Sequence, residues 1–143
     1  MQVAAEQQIA CAPEVAFDLM ADARKEPGWN SQVSRVELTS GEPIGVGSQF
    51  VIVNRGEAFN VTISTYDRPG TLAFRATGSM ELVIRHAFAA REGGTHVISN
   101  YDFRSRGAMK VLFALMKPVI AANVKKQLAS FNALCEQRAL TNP

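Results

Sequence analysis

The sequence is poor in the side chains that bind metals or cross-link a chain. It holds two histidines and two cysteines, and Cys11 and Cys135 lie far apart in the chain. No spacing of these residues is typical of a zinc site, and no predicted element carries the cluster of carboxylates that a di-iron site needs. We therefore expect no metal and no cofactor, and we interpret both cysteines as reduced, small hydrophobic residues.

The sequence also has little excess of either sign of charge. The formal net charge is +2, and the basic pairs Lys125-Lys126 and Arg104/Arg106 are short. Pairs of this kind are more typical of solvated surface than of a phosphate-binding patch. The composition therefore predicts no nucleic-acid partner.

Long hydrophobic runs are also missing. The most apolar stretch, 108–122, is interrupted by Lys110, Lys117 and Pro118 and is shorter than the roughly 20 residues of a membrane span. The first six residues lack the basic and apolar regions of a secretory signal. We expect a cytoplasmic protein without stable membrane insertion.

The residues that are present predict one α+β domain over residues 1–143. A strand at 2–10 is followed by two short helices, one opened by Ala12-Pro13-Glu14 and one over 22–26, which Pro27-Gly28 ends. From Val33 to Arg104 the apolar period is two, and turn residues divide the segment into six strands. Together with the first strand they predict a seven-stranded antiparallel sheet.

The glycine pair near the end of this segment predicts a register. If Gly93-Gly94 forms a two-residue turn, Ile84 faces Phe103 and His86 faces Tyr101. Phe88 then faces Ser99. The large apolar side chains of both strands fall on one face, as a half-buried sheet requires.

Two earlier turns are treated in the same way. A four-residue loop at Asp67–Gly70 places Ile63 beside Phe74. A three-residue loop at 77–79, with Gly78 or Ser79 at positive φ, places Phe74 beside Leu82. Both registers again gather the apolar residues on one face, which must be covered.

The segment 107–140 reads as one long helix and is the only element long enough to cover that face. In its second half, apolar residues recur at helical spacing; they are Ile120, Val124, Leu128, Phe131 and Leu134/Cys135. The first half, 109–119, is apolar nearly all round, and Pro118 is expected to kink or break the helix. This half is either buried, or serves as a mobile lid or an interface.

The whole pattern resembles the helix-grip fold of the START and birch-pollen-allergen (SRPBCC) superfamily, and most of all its bacterial polyketide cyclase/dehydrase branch. The motifs that carry the resemblance are Ile9-x-Ala-x-x-Pro13-x-x-Val15-Ala-Phe17-Asp-Leu19, Pro27-x-Trp29, Val36-Glu-Leu38, Gly45-x-Gly47, Asp67-Arg-Pro69, Gly93-Gly-Thr95, Phe103 and the closing helix. The resemblance implies a sheet wrapped around the long helix. It also implies a cavity between them for lipids, polyketides, sterols or other hydrophobic ligands.

The predicted inner face includes three polar residues, His86, Ser99 and Tyr101. A histidine beside a tyrosine can exchange protons with a bound carbonyl compound, can orient a ligand, or can simply satisfy a buried hydrogen bond. Trp29 is either core or a ligand-stacking residue. The full set predicted to contact a ligand is Trp29, Phe50, Ile52, Val61, Ile63, Phe74, Leu82, Ile84, His86, Phe88, Ser99, Tyr101, Phe103, Leu112, Met116 and Ile120.

Three functions follow from these observations. The first is binding of a hydrophobic small molecule. The second is an enzyme of cyclase, dehydrase or isomerase type that uses His86 and Tyr101 as acid and base. The third is a module that dimerises or docks a partner through 109–120; the dimer would be a homodimer.

Overall fold

A computed structural model describes residues 1–141, with side chains through Arg138. Its elements are β1 (Gln2–Ile9), α1 (Pro13–Ala21), a 3₁₀ helix (Ala23–Gly28), β2 (Val33–Leu38), β3 (Gln49–Asn54), β4 (Glu57–Asp67), β5 (Thr71–Thr77), β6 (Glu81–Arg91), β7 (Gly94–Arg104) and α2 (Ala108–Thr141). The predicted α+β order of strand, two short helices, six strands and a long helix is confirmed.

All seven strands belong to one antiparallel sheet. Their order is β1-β7-β6-β5-β4-β3-β2, so the last six strands form a meander and the first strand pairs with the last. α2 packs against β1 on the face that holds the buried residues. Within residues 1–141 no helix is both long and apolar enough to cross a membrane.

The predicted turn between β6 and β7 is wrong by one residue. The two-residue turn consists of Glu92 and Gly93, whose φ angles are 52° and 78°, and Arg91 pairs with Gly94. Positive φ at both central positions is the requirement of a type I′ hairpin turn. Gly94 serves a different purpose, because a Cβ atom there would overlap the carbonyl oxygen of Ile9 on the neighbouring strand.

The β6–β7 register is consequently displaced by two residues from the predicted one. Ile84 pairs with Tyr101 and His86 pairs with Ser99, whereas the prediction paired His86 with Tyr101. A displacement of two leaves every side chain on its predicted face. The inner face was therefore predicted correctly, and the neighbours across it were not.

The other two predicted hairpins fare differently. Ile63 does pair with Phe74, although a bulge after Ile63 shortens the loop to three residues. Between β5 and β6 the loop has three residues as predicted, but it covers 78–80, and Phe74 pairs with Ile84 and not with Leu82. Neither Gly78 nor Ser79 has a positive φ.

That loop is held by a side chain on a different strand. The Ser79 N–H donates to Oε2 of Glu57 at 2.7 Å, and the Gly78 N–H donates to the Met80 carbonyl at 3.0 Å. A long-range contact of this kind leaves no signal in the local sequence, which explains why the predicted register failed here.

The second half of α2 packs against the sheet as the helical spacing of its apolar residues predicts. Val124, Leu128, Phe131 and Cys135 are buried, with exposures between 0% and 4%. The helix is continuous through Pro118, so the predicted break does not occur. Burying a side chain such as Leu128 stabilises the fold by about 1.5–3 kcal/mol, which fixes this half of the helix on the sheet.

The first half of α2 is largely exposed in the monomer, so the rest of this chain does not bury it. Leu115 is 76% exposed and Val111 is 62% exposed, while Leu112 and Val119 are about half exposed. We call Val111, Leu112, Leu115 and Val119 the apolar stripe of α2.

At the other end of the sheet, α1 completes the core. The Phe17 ring lies 5.0 Å from Tyr66 and 5.4 Å from Phe88, so it fills the space between α1 and the strands. Nearby, Cys11 and Cys135 are free thiols that hydrogen-bond to each other, which lowers the pKa of Cys11.

Candidate ligand-binding site

A cavity of about 340 Å³ lies among the sheet, the 3₁₀ helix and α2. Its volume falls within the range of pockets that bind small molecules. Most of its lining is apolar, and the apolar residues are Met20, Ala23, Trp29, Ile52, Phe59, Val61, Phe74, Ala76, Met80, Leu82, Ile84, Phe103, Met109, Phe113, Ile120 and Val124.

The structure brings together most of the residues predicted to contact a ligand. Those that line the cavity are Trp29, Ile52, Val61, Phe74, Leu82, Ile84, His86, Tyr101, Phe103 and Ile120. They come from five strands, the 3₁₀ segment and α2, and they share only the property of facing inward.

Four predicted residues face inward but do not line the cavity. Phe50, Ile63, Phe88 and Ser99 are buried in the core outside the cavity lining. Each lies two residues along its strand from a lining residue, as Phe88 does from His86. The boundary of the cavity therefore crosses the strands, and alternation along a strand does not reveal where it falls.

The predicted contacts from the first half of α2 are displaced around the helix. Leu112 is 48% exposed and Met116 is partly buried, and neither lines the cavity. Met109 and Phe113 line it in their place, and Phe113 stacks on Phe103 with ring centroids 5.8 Å apart. One residue is a rotation of about 100° in a helix, so a small error in helix phase exchanges an inner residue for an outer one.

An aromatic row forms one wall of the cavity. Tyr101 stacks on Phe103 at 6.3 Å, and His86 meets the edge of Tyr101 at the same distance. His86 in turn lies 6.2 Å from Phe74. Rings in these arrangements give a rigid, polarizable surface suited to flat or apolar molecules.

His86 is held in the neutral form within this wall. Its Nδ1 shares a hydrogen bond of 2.7 Å with the Ser99 hydroxyl, and the residue is 2% exposed. Burial lowers the pKa of His86 to about 4, because the charged imidazolium is poorly solvated there. At neutral pH the side chain can donate or accept hydrogen bonds, but it is a weak proton acceptor.

The loop after the 3₁₀ helix fixes a second polar region. The Glu26 carbonyl accepts hydrogen bonds from the N–H groups of Trp29 and Asn30 at 3.0 and 2.8 Å. The Asn30 side chain closes the loop, since its Nδ2 donates to Oε2 of Glu26 at 2.9 Å and its Oδ1 accepts from Gln32 N–H at 3.1 Å. Glu26, Trp29 and Asn30 are thereby held at the cavity wall.

The Glu26 carboxyl group is electrostatically unusual. Burial raises its pKa to about 7, and the hydrogen bond from Asn30 only partly offsets this effect. Glu26 also affects Tyr101. Burial raises the pKa of Tyr101, and the negative charge of Glu26 raises it further. Among the described residues, no lysine or arginine forms an ion pair with Glu26.

Trp29 adds an unsatisfied donor to this region. The residue is 7% exposed, its ring meets the edge of Phe131 at 5.4 Å, and its indole Nε1 has no hydrogen-bond partner. A buried donor without a partner costs about 1–3 kcal/mol, so it is rarely left in that state without cause.

The sequence-based prediction missed Glu26. A signal for it exists, because residues three apart lie on the same side of a 3₁₀ helix, and Glu26 follows the buried Ala23 by three. Asn54, Glu57 and the polar residues Asn123 and Gln127 of α2 also line the cavity and were not predicted. Within the described residues, no three His, Cys, Asp or Glu side chains are placed to hold a metal ion.

A seven-stranded antiparallel sheet, two short helices after its first strand and a long C-terminal helix define the helix-grip class of α+β domains. The chain belongs to the polyketide cyclase/dehydrase and lipid transport family, whose model matches residues 1–136.

Solved structures support the fold. A START superfamily protein from Mycobacterium smegmatis is similar with a TM-score of 0.77 at 12% identity, and the match covers 95% of this chain and 97% of that one. The di-domain ARO/CYC StfQ from the steffimycin biosynthetic pathway matches with a TM-score of 0.77 at 15% identity, over 96% of this chain and 52% of its own.

Similarity in sequence to curated proteins is limited to a short segment. The uncharacterized protein Rv2574 of Mycobacterium tuberculosis is 35% identical over 48 residues, which are 34% of this chain and 29% of that protein.

Proposed function

We propose that the protein binds a hydrophobic small molecule, a lipid, a polyketide or a similar compound, in the cavity between the sheet and α2. The observation that carries this proposal is the cavity of about 340 Å³ with its apolar and aromatic lining. The family description, which names polyketide chemistry and lipid transport, supports the same class of ligand.

Two measurements test the proposal. Organic extraction of the purified protein followed by mass spectrometry is expected to release an apolar compound. A thermal-shift screen of fatty alcohols, sterols and aromatic polyketides is expected to show stabilisation, because a ligand that binds only the folded state raises the melting temperature. Absence of both a bound compound and any stabilising ligand would contradict the proposal.

An enzyme of cyclase, dehydrase or isomerase type is the second candidate. It is favoured by the presence of His86 and Tyr101 side by side in the cavity wall. In this function His86, neutral at physiological pH, accepts a hydrogen bond or a proton and Tyr101 donates to a developing enolate. His86→Gln and Tyr101→Phe are expected to fold and to lose turnover of a polyketide substrate, and unchanged turnover would exclude these roles.

The apolar stripe of α2 favours a further role as a homodimer interface. Its members recur at helical spacing and stay exposed, with Leu115 at 76%. Sedimentation velocity of Leu115→Ser is expected to show monomers where the wild type shows dimers. Val46→Ser, which changes a 71% exposed residue outside α2, is the control and should not alter the oligomeric state. A monomeric wild type would exclude the interface.

A further inference from the structure

One part of the cavity lining brings a carboxyl group, an indole N–H and a phenol together. Glu26 near the end of the 3₁₀ helix accepts hydrogen bonds from Trp29 and Asn30, which follow that helix, and the Tyr101 side chain interacts electrostatically with Glu26. We call Glu26, Trp29 and Tyr101 the polar end of the cavity. The lining residues that α2 contributes carry no titratable group.

We propose that the polar end selects uncharged ligands with one hydroxyl or carbonyl oxygen and rejects carboxylates. This inference rests on the proposed function, since it concerns which hydrophobic molecules the same cavity accepts. Two independent observations carry it: the unpartnered indole N–H of Trp29, and the carboxyl group of Glu26, which takes its side-chain hydrogen bond from the neutral amide of Asn30.

The indole N–H requires an acceptor. An oxygen atom of a ligand that reaches Nε1 of Trp29 would satisfy a donor that is buried and unpaired. The gain is that of one hydrogen bond to a donor that is otherwise buried and unsatisfied, about tenfold in affinity. A purely apolar ligand of the same shape leaves the donor unpaired.

Glu26 decides the charge of the preferred ligand. Its hydrogen bond comes from the neutral amide of Asn30, and burial raises its pKa to about 7, so the group already resists carrying a charge. A ligand carboxylate would place a second negative charge beside it, and two like charges in one buried site destabilise each other. A hydroxyl group can donate to Glu26 when it is ionised and accept from it when it is protonated.

The other titratable groups around the cavity do not reverse this preference. His86 is neutral because burial lowers its pKa, and Tyr101, which is neutral at its ordinary pKa, stays neutral because burial raises that pKa. Glu57 adds a further acid, while Arg55 is the one cation among the lining residues of the described chain. Arg55 is exposed, so solvent screens its attraction for an anion.

Three ligands with one apolar body test the inference: naphthalene, 2-naphthol and 2-naphthoate. Their dissociation constants are measured by fluorescence titration at pH 8, where Glu26 is mostly ionised. We expect the wild type to bind 2-naphthol about tenfold more tightly than naphthalene, because 2-naphthol gains one hydrogen bond. We expect it to bind 2-naphthoate more weakly than naphthalene.

Variants identify the groups responsible. Glu26→Gln is expected to bring the 2-naphthoate affinity to within threefold of naphthalene. Trp29→Phe is expected to reduce the preference for 2-naphthol over naphthalene, because only the hydrogen bond to Glu26 is then left. Glu37→Gln, which removes an exposed acid outside the cavity, is the control. Circular dichroism confirms that each variant is folded.

The outcomes separate this inference from the proposed function. Binding of naphthalene with equal or stronger binding of 2-naphthoate would overturn the inference and leave the proposed function standing. An unchanged ratio in Glu26→Gln would also overturn it. Failure of the wild type to bind any of the three ligands would overturn the inference, and the extraction and thermal-shift measurements decide the proposed function separately.

Discussion

The Nδ1 atom of His86 lies 2.7 Å from the hydroxyl oxygen of Ser99, directly across the ladder between β6 and β7. The contact satisfies the imidazole on the core side, while the ring packs nearly perpendicular to Tyr101 on the cavity side. His86 thus joins the packed core to the cavity, and its protonation affects both.

Protonation of His86 is expected to destabilise the fold in acid. Its pKa is about 4 in the folded state and near 6.5 in the unfolded state, so the unfolded chain binds more protons between these values. The contribution is fully present above pH 6.5 and is lost as the pH falls to 4, a change of about 3 kcal/mol. Urea unfolding of the wild type and of His86→Gln across this range measures it; parallel pH profiles would contradict the assignment.

Glu26 is expected to act in the opposite direction. Its folded pKa of about 7 lies above the ordinary value of 4.5, so its protonated form stabilises the fold below pH 4.5 and this stability is lost as the pH rises to 7. Glu26→Gln removes that loss. Its free energy of unfolding should therefore rise more steeply than that of the wild type between pH 4.5 and 6.5, where the two groups oppose each other.

If the profile of Glu26→Gln matches that of the wild type, the carboxyl group is not buried as described. A double variant with His86→Gln provides the check, because removal of both groups should leave a nearly flat profile over the same range.

Phe131 is expected to be among the most important core residues of α2. It is fully buried and its ring packs nearly perpendicular to that of Trp29, so Phe131→Ala leaves a cavity beside the polar end. The expected loss is about 3–5 kcal/mol in the free energy of unfolding. Val46→Ala at an exposed site should change it by less than about 0.5 kcal/mol, and a similar small effect for Phe131→Ala would contradict the packing described here.

Much of the fold could be predicted because period-two alternation reports which face a side chain takes. That rule placed His86, Tyr101 and Phe103 on the inner face although the register across β6 and β7 was displaced by two residues. Register depends on turn geometry. Here it was decided by the positive φ angles of Glu92 and Gly93 and by the close approach of Gly94 to Ile9, a contact distant in sequence.

The site itself was predicted less completely. Facing inward does not distinguish Phe88, which packs on Phe17, from His86, which lines the cavity. Glu26 was missed because its charge suggests a surface residue, and only the three-residue spacing from Ala23 in a 3₁₀ helix turns it inward. The rotation of α2 about its own axis decides which side chains of its first half face the cavity. The prediction placed Leu112 there, whereas Phe113 lines the cavity.

We claim that an apolar molecule binds in the cavity between the sheet and α2, and substitutions that fill this cavity should prevent binding. Ala76 lines the cavity on β5, and Ala89 is an exposed residue on β6 that lies outside the cavity lining. Naphthalene titrations of Ala76→Phe and Ala89→Phe compare the same added side chain inside and outside, with Ile120→Trp as a second filling variant from α2. We predict at least a tenfold loss of affinity for the two cavity variants and none for Ala89→Phe; equal affinities in folded proteins would contradict the claim.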